Sequence, residues 1–99
     1  MSRYALPLDG YDNASVWGFD QQGATYYAQL WRNESDSWND PDIWLSGMDP
    51  IGSAQRLAEM IAARTGLTPA EVARALATAK TAPESAALLK MAECLAAEV

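Results

Sequence analysis

Histidine is absent from the 99 residues, and cysteine occurs once, as Cys94. Without histidine the commonest general base is missing, and with it the usual serine and cysteine triads and most transition-metal sites. A single thiol closes no internal disulfide and cannot make a thiolate zinc site alone. Basic residues are scarce too. Seven lysines and arginines face thirteen acids, leaving a net charge of -6. No apolar run approaches the roughly 20 residues that cross a bilayer. The opening "MSRYALPLDGYDN" is interrupted by Pro7, Asp9 and Gly10 before the apolar region of a signal peptide could form. A cytoplasmic protein is the expectation, and the sequons at Asn13 and Asn33 then stay unused. There is no GxGxxG turn and no P-loop lysine. The chain is therefore expected to be no enzyme, with no catalytic residues, no cofactor and no metal.

What is present is unevenly spread. Residues 1–50 hold eight acids against Arg3 and Arg32, whereas residues 51–99 hold five acids and five bases. The first half alone carries the net charge. All nine aromatic residues also fall between Tyr4 and Trp44. Hydrophobic content of 49% with 20% charged residues suits a globular chain, and the length suits one domain over residues 1–99. That domain divides into an acidic, aromatic half and an alanine-rich half.

The first half reads as strands. Tyr4, Leu6 and Leu8 alternate, Val16 and Trp17 share an apolar run, "TYYAQLW" is rich in strand formers, and "DIWLS" is a short fourth segment. "DGYDN", "DQQG", residues 33–41 and "GMDPIG" supply the turns between them. Connections this short favour an antiparallel meander. A three-residue hairpin loop over residues 21–23, with Gly23 left-handed, would set Val16 opposite Ala28 and Trp17 opposite Tyr27. One face would then be small and aliphatic, fit to take helices. The other would expose Trp17, Phe19 and Tyr27 beside Trp31 and Trp44. A slip of one residue would exchange the faces and make the aromatic side the core.

The second half switches to helical period. Ser53 can cap a helix with Leu57, Met60 and Ile61 inward, stopped at Gly66. "TPAE" from Thr68 places a cap, a proline at the first helical position and a glutamate that can reach back, ahead of Val72, Ala75, Leu76 and Ala79. "TAPE" from Thr81 repeats the device before a third helix with Leu88, Met91, Leu95 and Val99 inward. The expected fold class is thus α+β: an N-terminal three- or four-stranded antiparallel sheet followed by three C-terminal helices.

Two function classes compete for these residues. "AEMIAARTGLTPAEVARAL", residues 58–76, resembles the helix-turn-helix of bacterial repressors, with small Ala62, Gly66 four residues on, then Leu67 and Val72. The resemblance covers about a fifth of the chain. It implies a DNA-binding transcriptional regulator whose second helix presents Thr68, Ala70, Glu71, Ala73 and Arg74 to base edges. That set contains one cation, where phosphate contacts call for several. An ordinary pair of helices with a glycine stop accounts for the same letters.

The other signal is "RNESDSWNDPDIWLSG", residues 32–47. It places Trp38 and Trp44 among Glu34, Asp36, Asp40 and Asp42, close behind Trp31. The spacing lacks the central glycine and final glutamate of an EF-hand, so calcium is not expected. Aromatic anchors amid carboxylates suit an interface with a basic partner. Small acidic proteins that occlude or mimic nucleic acid on the basic surface of an effector, of the anti-CRISPR and anti-restriction kind, are similar in physical type. A protein partner with a basic surface is therefore expected, through Trp31, Glu34, Asp36, Trp38, Asp40, Asp42 and Trp44, without direct nucleic-acid or membrane binding. A homodimer, or an adaptor role with no nucleic-acid link, fits the same composition.

Overall fold

The structure, a computed structural model, describes residues 2–12, 14–33, 41–45, 50–79 and 82–97. Four strands, β1 (Tyr4–Ala5), β2 (Val16–Asp20), β3 (Thr25–Leu30) and β4 (Ile43–Leu45), precede three helices, α1 (Ala54–Thr65), α2 (Pro69–Ala77) and α3 (Ser85–Ala97). The strands form one antiparallel meander in chain order. This is the α+β arrangement expected from the sequence.

The hairpin differs from expectation by one residue. Asp20 pairs with Thr25, so residues 21–24 form a four-residue loop, and the left-handed position falls on Ala24 (φ 50°) rather than Gly23. Trp17 consequently sits opposite Ala28, and Gly18 opposite Tyr27. Side chains alternate along a strand, so this single step turns β2 over while β3 keeps its expected facing. Trp17 is fully buried and joins the helix-side core with Ala28, Leu30, Ile43 and Leu45. Its expected exposure is corrected accordingly.

Each helix boundary has a physical cause. The Ser53 hydroxyl accepts the Arg56 N–H at 3.1 Å. Gly66 (φ 80°) donates its N–H to the Ala62 carbonyl at 2.9 Å, ending α1 in a conformation that glycine adopts without a Cβ penalty. Thr68 accepts the Glu71 N–H at 3.2 Å, with Pro69 opening α2. The helix α3 starts later than expected: Pro83 and Glu84 lie in a turn, and the first helical residue is Ser85. Thr81 and Val99 lie outside the described residues.

In the core, Leu57, Ala58 and Ile61 of α1 meet Val72 and Leu76 of α2, Leu88 of α3 and the inner face of the sheet. The helix α1 lies against β3 and β4, and α2 packs against both other helices. Fully burying one such side chain contributes about 1.5–3 kcal/mol. The chain turns from the sheet into α1 at Ile51, whose N–H donates to Thr25 Oγ1 at 2.7 Å and whose carbonyl accepts from Tyr26 at 3.0 Å. Met60 and Met91 fill the margins of this core. Cys94 is exposed.

Candidate interaction surface

The sheet face turned away from the helices is built by register. Ala5, Val16, Gln29 and Trp44 line up across all four strands, and Gly18 with Tyr27 makes the adjoining rung. Val16, Tyr27 and Trp31 are buried hydrophobic residues, yet none belongs to the helix-side core. They form a thin second layer on the outer face.

Tyr27 shows how that layer is made. Gly18 has no Cβ, and a methyl there would collide with the Ser2 carbonyl and crowd the Tyr27 ring. The ring therefore crosses β2, and its hydroxyl donates to the Ser2 carbonyl at 2.6 Å. Burial pushes the phenol pKa up, with Arg3 opposing and Asp20 adding to the shift. Tyr27 is thus on the outer face as expected, but only 7% exposed, so it lies flat instead of projecting. Phe19, also expected there, turns with β2 to the helix side and packs edge-on against Tyr26.

Trp31 follows β3 and is held through its backbone. Its N–H donates to the buried Ser15 hydroxyl at 3.1 Å, and its carbonyl accepts from Asp12 at 2.7 Å. The indole is buried, with no hydrogen-bond partner for Nε1 among the described residues. Trp31 is therefore a buried residue and no exposed anchor. Asp42 accepts the Arg32 N–H at 2.8 Å through Oδ2, which ties the start of β4 to the end of β3.

Trp44 is different. Its strand neighbours Ile43 and Leu45 point into the core, which forces the indole outward, where it is 61% exposed. Leu89 is the one other large hydrophobic residue exposed among those described. The candidate surface thus brings together Trp44 and Gln29, with Asp42 at its edge, while Trp31 is buried. Glu34, Asp36, Trp38 and Asp40, also expected in it, lie outside the described residues. Gln29 was not singled out from the sequence. Its place depends on cross-strand register, which its own neighbours in the chain do not encode.

The helical half presents less. Ala73, assigned to base edges by the helix-turn-helix resemblance, is fully buried. The helix α2 exposes Glu71 and Arg74, with Thr68 and Thr78 at its ends, a narrow stripe in which the acid offsets the base. Among the described residues no group of acids and cysteine is arranged to hold a metal ion, and no helix is long and apolar enough to cross a membrane. Comparison with protein-family models, curated proteins and solved structures finds no match to this chain.

Proposed function

We propose that this chain is a small non-enzymatic binding protein. It docks its acidic, aromatic half on the basic surface of a nucleic-acid-binding effector, and inhibits that effector by occluding or imitating nucleic acid. The observation that carries the reading is Trp44: a large indole held outward by a buried strand, in the half that bears the whole net charge. A rigid aromatic anchor at a fixed position suits an interface core, while the excess of carboxylates in the same half of the sequence would steer a basic partner. Cytoplasmic action follows from such a target.

The test begins with capture of partners from the native host, identified by mass. A captured nucleic-acid-binding protein whose complex with this chain is competed by nucleic acid supports the reading. A partner without a basic surface, bound equally well by Trp44→Ala, refutes it in favour of an adaptor. The regulator alternative is weaker on charge. Sub-micromolar, salt-sensitive binding of duplex DNA by the isolated chain would restore it.

A further inference from the structure

We propose that Trp44 and Gln29 together seat an arginine side chain of the basic partner. The inference rests on the reading above and deepens it, by naming the group that the exposed indole takes.

The seat is made by register. Gln29 lies directly opposite Trp44 across β3 and β4, on the face turned away from the helices. Directly opposed side chains on one face have Cβ atoms about 4.5–5.5 Å apart, so a single long side chain can touch both. Ile43 and Leu45, on either side of Trp44, are 2% and 6% exposed, which prevents the indole from turning inward. The strand β4 is the last of the sheet. Among the described residues no ring or cation of this chain stacks on the indole. It therefore presents open aromatic surface to solvent, at a position fixed by the core beneath it.

Gln29 supplies the polar half. It is half-buried, and its side-chain amide makes no hydrogen bond among the described residues. Its carbonyl oxygen thus keeps its acceptor capacity beside the indole. Asp42 stands two residues before Trp44, so alternation puts it on the same face, roughly 7 Å along the strand. Its Oδ2 accepts the Arg32 N–H at 2.8 Å, which holds the carboxylate against the sheet.

The chemistry of the occupant follows from charge and shape. Residues 1–50 hold eight acids against two bases, so an anion is repelled and a cation attracted. Between the two common cations, the guanidinium is planar and weakly hydrated. It can stack on an indole while its in-plane N–H groups donate to an acceptor beside the ring. An ammonium is compact, strongly hydrated and has no plane to stack. Nucleic-acid-binding surfaces use arginine in this way, laying the guanidinium on a base. An indole is a fused two-ring plane, as a purine is. Trp44 with Gln29 then offers such an arginine a stacking face with a polar edge, in place of a base.

The test is titration of the full-length chain with tetra-arginine and tetra-lysine, which carry equal charge, followed by NMR shifts of the Trp44 indole N–H and the Gln29 amide. Saturable shifts of both groups are expected, with tetra-arginine bound about threefold more tightly, the scale of one exposed stacking contact. Trp44→Leu should erase that preference and leave only weak, salt-sensitive binding of both peptides. Trp44→Phe should keep part of it, and Gln29→Met should reduce it. Equal affinity for the two peptides in the wild type, or a preference that survives Trp44→Leu, would overturn the arginine seat. If both peptides bind equally and both depend on Trp44, the basic-partner reading stands while this inference falls. Indole shifts that grow with protein concentration in the absence of peptide would identify a second copy of this chain as the occupant, and overturn it too. Failure of both peptides to bind overturns the seat, and the captured partner then decides the wider reading by itself.

Discussion

Gly18 and Tyr26 show how single atoms decide this sheet. Gly18 lets the Ser2 carbonyl and the Tyr27 ring approach the same point of β2. Gly18→Ala should force that stretch of chain and the Tyr27 ring apart, at a cost of about 1–3 kcal/mol typical of overpacking. The check is the urea midpoint, with loss of protection at the Phe19 amide, which donates to Ser2 Oγ. No change in either would mean the close approach does not exist. Tyr26 carries a pH signature. Its folded pKa is raised from 10.0 to about 12, so the fold favours the neutral phenol. That contribution is complete below the unfolded value and declines as pH climbs from 10.0 towards about 12. Tyr27 shifts in the same direction and adds its own decline. Tyr26→Phe should therefore be less stable at neutral pH, having lost the bond to Glu84, yet lose less stability than wild type on raising the pH. Parallel stability curves for the two proteins would contradict this.

At the scale of elements, the hairpin separates what was legible from what was not. The strands, their order and the inward faces of β3, β4 and all three helices follow from local pattern: alternation in "TYYAQL", periodicity through Leu57, Ile61, Val72, Leu76 and Leu88, and caps at Ser53 and Thr68. The facing of β2 does not, because "VWGFD" carries large side chains on one parity and small ones on the other, and either can be buried. Loop length decides between them. Glycine at position 23 argued for a three-residue turn, but the ladder closes one residue later and leaves Ala24 left-handed. An L-residue there costs roughly 1–2 kcal/mol. Ala24→Gly should then raise stability by up to about 1 kcal/mol, since glycine also loses more entropy on folding. A destabilised variant would argue for the shorter turn. The same reasoning applies to α2. Thr68→Ala removes the acceptor for the Glu71 N–H and should cost about 1 kcal/mol in urea unfolding, with Thr68→Ser retaining most of it.

For the whole molecule, charge and shape divide between the two halves. The helical half buries Ala58, Ala62, Ala73 and Ala92 with Leu57, Ile61, Val72, Leu76 and Leu88, balances its charge and buttresses the sheet. The other half keeps the net charge and turns Trp44 outward. If that surface meets a basic partner, the indole and the acids should fail in different ways. Trp44→Ala should cost roughly 2 kcal/mol or more, mainly through faster dissociation, because a buried aromatic anchor is lost only after docking. Replacing Glu34, Asp36 and Asp40 by Gln or Asn should instead slow association and flatten its dependence on salt, because long-range attraction acts before contact. Trp31→Phe should change either rate less than Trp44→Ala, since Trp31 is buried and Trp44 is exposed. Stability should change by under about 1 kcal/mol in each acid variant, the usual scale for one ion pair in water, and a larger loss would show the carboxylate to be part of the fold's own network. Association and dissociation rates for each variant, measured against the captured partner at low and moderate salt, separate these effects. Identical rates for all of them would move the interface off this face and on to the exposed side of α3 around Leu89.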